Sequence, residues 1–129
     1  MSGRVALDTN VVIRLFKNDP AVMKILSTSS VICLPVPVAA ELLYGAENSG
    51  RPADNIKICH DLIDLCEVLN ITRKTAGAYS RVRSSLKASG RPIPENDVWI
   101  AAVCMEHNVP LVTSDRHFDF VEGLNIIGV

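Results

Sequence analysis

The amino-acid sequence predicts an α/β fold built on a parallel sheet, and two patterns indicate it. Short apolar runs alternate along the chain with segments of helical periodicity, and parallel strands need such helical connections between them. Acidic and small polar residues follow the first and the fourth apolar run, where a parallel sheet would have its binding edge. With 129 residues, 48% of them hydrophobic, the chain can bury one core, and we expect residues 1–129 to form a single domain.

The expected elements follow from this alternation. In chain order they are the strand RVAL, helices over 11–17 and 20–27, the strand VICL, helices over about 37–48 and up to about 66, the strand VLNI, helices over 73–89 and 95–107, and the strands PLVT and LNIIGV. The pieces SGRPA and SGRPIP are predicted to be loops. Right-handed crossovers then imply a three-layer α/β/α sandwich with a parallel sheet of four or five strands.

The composition argues against several classes of protein. The longest apolar run, VICLPVPVAA, contains two prolines and is far shorter than the ~20 residues of a membrane-spanning helix. The first six residues show no signal or transit pattern, so a cytoplasmic location without membrane contact is expected. The four cysteines form no CxxC motif and the three histidines show no zinc-ligand spacing, which predicts reduced thiols and no zinc site.

Charge is distributed unevenly along the chain, although the net charge is only -1. Residues 68–94 contain six bases and no acid, whereas the rest of the chain carries seven bases and fourteen acids. This split predicts a basic strip beside an acidic region on one small domain. Arg81, Arg83 and Lys87 are the candidates in the strip for contacts with the phosphates of a nucleic acid, with a merely solvated helix face as the alternative. The buried face of the same helix is expected to contain Ala76, Tyr79, Val82 and Leu86.

Four carboxylates are the candidate catalytic residues. Asp8 directly follows RVAL and Asp115 lies just beyond PLVT, at the ends of predicted strands. Glu41 and Asp97 lie in the first turns of the helices that follow VICL and precede PLVT. Each aspartate also has a purely structural interpretation, as a helix cap, a first-turn anion or a turn residue. Glu41 fits a structural role less well, because its neighbours in VAAELLYG are apolar and residues 25–50 contain no Lys or Arg to pair with it.

Acids gathered at one edge of a sheet repel one another unless a divalent cation neutralises them. Oxygen ligands select hard ions, so the expected cofactor is Mg²⁺, with Mn²⁺ as the other candidate. A bound ion of this kind supports the hydrolysis of phosphodiester bonds. Thr9, Asn10 and Ser114 would then support the ligands or hold a water.

Four segments of the chain resemble the acidic motifs of the PIN-domain ribonucleases, in particular the VapC-type toxins of toxin-antitoxin pairs. They are VALDTNVVIRLF, PVAAELLYGA, PENDVWIAAVC and LVTSDRHFDF, in the order of the family's motifs and spread over the whole chain. The resemblance implies a PIN-like fold and a Mg²⁺- or Mn²⁺-dependent endoribonuclease with an acidic site of Asp8, Glu41, Asp97 and Asp115. Asp8 and Asp97 would bind the metal directly, and Glu41 and Asp115 directly or through water.

The same resemblance implies partners and further residues. It implies a homodimer, a structured RNA substrate such as tRNA or rRNA that is cut at an unpaired position, and a VapB-type antitoxin that places a basic side chain at the acidic site. Asp119 is a further candidate acid, and Arg116 would orient a phosphate or pair with an acid. His117 is not needed by a two-metal mechanism, so we expect it to lie at the surface.

Other classes of protein fit the sequence less well. A phospho-receiver needs an acceptor aspartate after a middle strand and a lysine after a late one, and a haloacid-dehalogenase-type phosphatase needs DxD where this chain has DTN. The sequence contains no P-loop or GxGxxG for nucleotide binding. Two alternatives within the family stay open: a PIN-like nuclease that acts on DNA or precursor RNA outside a toxin-antitoxin system, and an inactive PIN fold used for protein binding.

Overall fold

Five parallel strands form one sheet in the computed structural model, which describes residues 3–129. The strands are β1 (Arg4–Leu7), β2 (Val31–Pro35), β3 (Glu67–Leu69), β4 (Leu111–Thr113) and β5 (Ile126–Gly128). Their order across the sheet is β3-β2-β1-β4-β5, and every neighbouring pair is parallel. The first strand of the chain therefore lies at the centre, and the predicted parallel sheet is confirmed with five strands.

Within residues 3–129, six α-helices and a short 3-10 helix connect the strands. The helices are α1 (Thr9–Phe16), α2 (Pro20–Ser27), α3 (Val36–Glu47), α4 (Pro52–Leu65), α5 (Arg73–Ser89) and α6 (Glu95–His107), and the 3-10 helix spans Arg116–Phe120. The chain steps from β1 to β2 and β3 on one side, then crosses back to β4 on the other side of β1. Because such crossovers are right-handed, α1 to α4 cover one face of the sheet, and α5 and α6 cover the other. This is the expected three-layer sandwich.

Several helix ends follow directly from local sequence chemistry. The Asp19 carboxylate accepts hydrogen bonds from the backbone N–H groups of Ala21 (2.9 Å) and Val22 (3.4 Å), and Pro20 occupies the first position of α2. Helix α5 ends at Ser89 and is followed by Gly90, whose φ of 69° favours a residue without a Cβ. The bounds of α2, α5 and α6 coincide with those predicted.

Two elements begin earlier than predicted. Helix α1 starts at Thr9 rather than at residue 11, because the Asp8 side chain accepts a hydrogen bond from the Thr9 N–H and caps the helix directly after β1. Strand β3 starts at Glu67, one residue before VLNI, and the Glu67 carboxylate lies 2.9 Å from the Arg4 guanidinium. Both differences arise from polar contacts, which the spacing of apolar residues in the sequence cannot show.

The buried face of α5 contains Thr75, whereas Ala76, which was expected there, is exposed. The Thr75 hydroxyl donates a hydrogen bond to the Glu106 carboxylate of α6 and accepts one from the Thr72 N–H. A threonine can be buried here because its hydroxyl is fully hydrogen-bonded. The expectation for Ala76 was wrong because the hydrogen bond between Thr75 and Glu106 of α6 turns Thr75 inward, and the sequence of α5 alone does not show that contact.

The hydrophobic core surrounds β1 and α6. Ala6 and Leu7 of β1 are fully buried, and α6 is buried over the consecutive residues 100–104. A helix that is buried on more than one side lies between two layers, and α6 packs against α5 as well as against strands of the sheet. The centre of the sheet is therefore covered on both faces.

Two observations bear on the expectations from composition. The four cysteines are free thiols; Cys33, Cys59 and Cys104 are buried and Cys66 is partly exposed. Over the described residues 3–129, none of the helices combines the length and the apolar character needed to cross a bilayer.

Replacing Leu7 by Ala tests the central position of β1. Leu7 is 0% exposed, so Leu7→Ala leaves a cavity and should lower the free energy of unfolding by about 2–5 kcal/mol. Leu65→Ala is the matched control, because Leu65 is 84% exposed and its loss should change stability by less than about 0.5 kcal/mol. Urea denaturation followed by circular dichroism measures both, and equal losses in the two variants would contradict the assignment of the core.

Candidate active site

The carboxyl ends of β1 and β4 form the point where the strand order of the sheet reverses. The two strands are neighbours, but the chain leaves them toward opposite sides of the sheet, which opens a crevice between their following loops. Asp8 directly follows β1, and Asp115 lies two residues beyond β4. Helix α3, which carries Glu41, begins directly after β2, and α6, which carries Asp97 in its first turn, runs from this edge back to the start of β4. All four candidate acids belong to elements that meet at one edge.

Asp8 is a buried carboxylate held by two hydrogen bonds. Only 5% of the residue is exposed, and it caps α1 in an extended backbone conformation. Its Oδ1 accepts a hydrogen bond from the Thr9 N–H (2.8 Å), and its Oδ2 accepts one from the Thr113 hydroxyl (2.8 Å). The Thr113 hydroxyl also accepts a hydrogen bond from the Asp115 N–H (3.0 Å). One buried hydroxyl therefore fixes Asp8 and the backbone of Asp115 together.

Glu41 lies on the exposed side of the same edge and contacts α1. The Thr9 hydroxyl donates a hydrogen bond of 2.7 Å to Glu41 Oε1, so the start of α1 holds the carboxylate of α3. The sequence offers no Lys or Arg within residues 25–50 to pair with Glu41. The structure places it in an exposed position with a neutral hydroxyl beside it.

His117 joins two of the acids. Its Nε2 lies 2.6 Å from Asp97 Oδ2, and its Nδ1 lies 2.8 Å from Asp115 Oδ1. The ring also contacts Phe118, which is fully buried, at 4.9 Å between ring centroids. The expectation that His117 lies apart at the surface was therefore wrong. Its signal in the sequence is its position two residues after Asp115, within reach of that carboxylate.

The pKa values of Asp8 and Asp97 reflect this crowding. Burial raises the pKa of Asp8, and the negative charges of Asp115 and Glu41 raise it further, against the opposing hydrogen bonds from Thr113 and Thr9. Burial likewise raises the pKa of Asp97; His117 lowers it, and the charges of Asp8 and Glu41 raise it. The charges of Asp115 and Glu41 therefore act on Asp8, and those of Asp8 and Glu41 act on Asp97.

The five supporting residues expected around these acids lie in different environments. Thr9 is in direct contact with Asp8 and Glu41, whereas Asn10 is exposed on α1. Ser114, Arg116 and Asp119 are exposed and line a shallow cavity of about 270 Å³ beyond the ends of β4 and β5. Sequence reasoning named Ser114 as the supporting hydroxyl but missed its neighbour Thr113, which the structure buries against Asp8. The sequence did contain a signal for Thr113, because it is the last residue of the predicted strand PLVT and so lies at the edge where the acids were expected.

The three bases proposed to contact RNA lie on the outer surface of α5. Arg81 is exposed and lines a cavity between α5 and α6, and Lys87 lines a second one near the start of α6. Arg83 donates a hydrogen bond of 2.7 Å to the Tyr79 hydroxyl and lies 3.6 Å from Glu95 Oε1. Arg83 lines the second cavity as well, but it is partly engaged with Tyr79 of α5 and Glu95 of α6.

The donor set at this edge fits a divalent cation. Asp97, Asp115 and His117 each offer a ligand atom, and these atoms lie within 4.8 Å of one another. The carboxylates of Asp8 and Glu41 add negative charge beside them, as their effect on the pKa of Asp97 indicates. Oxygen and imidazole ligands suit magnesium, manganese and other first-row divalent ions, so the residues present can hold such an ion.

The fold and this edge define an α/β protein with acids and one histidine clustered at the switch point of a parallel sheet. The chain belongs to the PIN domain family, whose model matches residues 5–124. PIN nucleases are generally dependent on divalent metals, and the cluster at this edge is one that could bind such a metal.

Individual relatives agree with this assignment. The chain is 34% identical to ribonuclease VapC2 of Haemophilus influenzae over 123 residues, which is 92% of each chain. It is 31% identical to the tRNA(fMet)-specific endonuclease VapC of Shigella flexneri over 121 residues, again 92% of each chain. Among solved structures, DNA-bound VapBC of Salmonella typhimurium is similar with a TM-score of 0.89 and 28% identity over 97% of each chain.

Replacing Asp8 by Asn tests the cost of the buried charge. Because its pKa is raised, the charged Asp8 costs the folded state free energy above that pKa, and the cost disappears as the pH falls and the folded carboxyl takes up its proton. Asn is also a good helix cap and can keep the contact with Thr113. Asp8→Asn should therefore raise the free energy of unfolding by about 0.5–2 kcal/mol at pH 8 in the presence of a chelator.

Urea denaturation at several pH values between 8 and 4 measures this difference. The gain should shrink as the pH falls, since both proteins are then uncharged at position 8. Asp61→Asn is the control, because Asp61 is an exposed residue of α4 paired with Lys57. A loss of stability in Asp8→Asn at pH 8, or a gain that does not change with pH, would contradict the raised pKa.

Proposed function

We propose that this protein is a Mg²⁺-dependent endoribonuclease that hydrolyses RNA phosphodiester bonds and acts as the toxin of a VapBC-type toxin-antitoxin system. The observation that carries the proposal is the meeting of Asp8, Glu41, Asp97 and Asp115 at the switch point of a PIN-family sheet. Relatives that cover 92% of the chain and are named ribonucleases support it. Under this proposal residues 1–129 work as a single domain.

The chemistry assigns a role to each acid. A bound divalent ion supplies positive charge that activates water and stabilises the phosphate during hydrolysis. Asp8 is the most rigid candidate ligand, because two hydrogen bonds fix both of its oxygens. Asp97 presents a second carboxylate from the first turn of α6, and Glu41 and Asp115 complete the acidic edge from opposite sides. A bound cation would lower the raised pKa values of Asp8 and Asp97, because its positive charge offsets the repulsion among the carboxylates and stabilises their ionised forms.

The substrate is proposed to be a structured RNA, with tRNA or rRNA as the expected classes. The relative from Shigella flexneri is named as a tRNA(fMet)-specific endonuclease. In this chain the six bases of residues 68–94 supply positive charge, and Arg81 and Lys87 are exposed residues that line surface cavities. Proteins usually read RNA at unpaired positions, and flexible bases at such positions can enter an exposed crevice.

The proposed partner is a VapB-type antitoxin. A groove of about 530 Å³ runs between α1, α3 and α4, and the exposed apolar side chains of Ile13, Phe16 and Ile58 line it. Thr9 and Glu41 line the same groove, so a peptide seated there can reach the acidic edge. An amphipathic helix with a basic residue near one end has the chemistry that such a groove accepts. The family resemblance further supports a homodimer and a cytoplasmic location.

Two other functions remain distinguishable by experiment. A PIN-like nuclease outside a toxin-antitoxin system would cut DNA or precursor RNA, and an inactive PIN fold would bind a protein without cutting. The acids, their raised pKa values and the names of the relatives favour the ribonuclease.

Incubation of the purified protein with total tRNA, rRNA and single-stranded DNA tests the activity. We expect RNA cleavage in Mg²⁺ that stops with chelator, and Asp8→Asn should lower the rate by more than about 100-fold, because even residues outside the ligand shell cost about 10–100-fold. Asp61→Asn should cut at the wild-type rate, since Asp61 pairs with Lys57 on α4. Cleavage that is insensitive to chelator, or an unaffected Asp8→Asn variant, would refute the metal-dependent mechanism.

Salt titration of RNA binding tests the basic strip. Arg81→Gln should weaken RNA binding and reduce the slope of log K against log salt by roughly 0.7, the value for one phosphate contact on a single strand. Lys57→Gln on α4 is the matched control and should leave the slope unchanged, because Lys57 already pairs with Asp61. The slopes are measured by electrophoretic mobility shift or fluorescence anisotropy, with each substitution made in the Asp8→Asn variant so that the RNA is not cut during the measurement. Identical slopes for wild type and Arg81→Gln would exclude Arg81 from the RNA interface.

A further inference from the structure

We propose that His117 is a metal ligand of this site: its Nε2 binds the divalent ion together with Asp97, while its Nδ1–H stays hydrogen-bonded to Asp115. The inference rests on the proposed metal-dependent function and adds to it the identity of a nitrogen ligand. It changes the expected role of Asp115, which then orients His117 as well as contributing charge.

The first argument is the position of the ring between two carboxylates. Nε2 lies 2.6 Å from Asp97 Oδ2, and Nδ1 lies 2.8 Å from Asp115 Oδ1. Neighbouring ligands around an octahedral ion with bonds of about 2.1 Å are roughly 3 Å apart. The nitrogen that faces Asp97 therefore needs to move only by a few tenths of an ångström to share an ion with that carboxylate.

The second argument is the contact on the opposite nitrogen. A histidine that binds a metal nearly always donates its other ring N–H to a carboxylate, a carbonyl or a water, which fixes the tautomer and the direction of the free lone pair. Asp115 provides such a carboxylate for Nδ1. A cation on Nε2 would take the place of the proton in the hydrogen bond between Nε2 and Asp97, and this proton leaves to solvent while Nδ1–H stays bonded to Asp115.

The third argument is that the ring is anchored. His117 sits in the 3-10 helix directly before Phe118, which is fully buried and whose ring contacts the imidazole at 4.9 Å between centroids. Only 24% of the His117 side chain is exposed. A surface histidine that merely follows an acid in a loop would not be fixed from both sides in this way.

A nitrogen ligand has a consequence for the choice of metal. Carboxylates suit Mg²⁺ and Mn²⁺ alike, whereas imidazole favours first-row transition ions over Mg²⁺. The protein should therefore bind Mn²⁺ more tightly than Mg²⁺, and His117→Gln should lose Mn²⁺ affinity by about 10-fold or more while its Mg²⁺ affinity changes much less. Gln keeps an amide that can donate to a carboxylate but offers no imidazole nitrogen.

Electron spin echo envelope modulation of the full chain loaded with Mn²⁺ alone tests the ligand directly. We expect modulations from a bound ¹⁴N of imidazole in the wild type and in His60→Gln, whose residue is exposed on α4, and none in His117→Gln. Calorimetric titration with Mn²⁺ and with Mg²⁺ gives the change in the affinity ratio for the same proteins.

The wild-type spectrum decides the question even if His117→Gln fails to fold. Selective ¹⁵N-labelling of histidine must change the modulations if imidazole binds the ion. Mn²⁺ binding without nitrogen modulation would overturn the role of His117 and leave the proposed nuclease intact with an all-oxygen site. Absence of any Mn²⁺ or Mg²⁺ binding would instead overturn the metal-dependent function on which the inference rests.

Discussion

The hydrogen bond from the Thr113 hydroxyl to the buried Asp8 carboxylate is the contact on which the acidic edge depends. It joins the end of β4 to the end of β1, which are 105 residues apart in sequence. The same hydroxyl accepts the N–H of Asp115, so it also sets the path of the chain as it leaves β4. Because the hydroxyl is almost completely buried, these two contacts are shielded from competing water and hold the two loops in one arrangement.

The site acids contact hydroxyls and an imidazole, whereas two acids away from the site pair with arginines. Away from the site, Asp19 pairs with Arg14 and Glu67 with Arg4, each at 2.9 Å. At the site, the recorded partners are the hydroxyls of Thr113 and Thr9 and the imidazole of His117. Hydroxyls orient a carboxylate without neutralising it, so the edge keeps its negative charge. This is the electrostatic condition under which a divalent cation binds well, because the cation offsets the repulsion among the carboxylates.

The 3-10 helix after β4 connects this electrostatic arrangement to the core. Phe118 fills the core from this segment, and the adjacent residue His117 is thereby held against Asp97 on α6. Arg91, from the loop before α6, lies over the exposed ring of Phe120 at 4.7 Å, so a second residue of the segment contacts the connection between α5 and α6. The burial of Phe118 thus positions the imidazole of the adjacent His117.

The sequence by itself determined the order of the elements, the parallel sheet and the acids that follow its strands. Apolar runs and helical periods are local patterns that can be read from the sequence. Because parallel strands end at the same edge of a sheet, the sequence also predicts that Asp8 and Asp115 lie on the same side. The motifs further identified the family, whose model matches nearly the whole chain.

Only the tertiary structure decided which groups touch these acids. Thr113 and His117 were not singled out by the sequence for these contacts, because their partners come from β1 and α6, far away along the chain. Thr75 faces inward for the same reason, since its acceptor Glu106 belongs to another helix. Periodicity reports the side of an element that is buried on average, whereas a hydrogen bond depends on the distance and direction between two particular groups, which are fixed only when the layers pack.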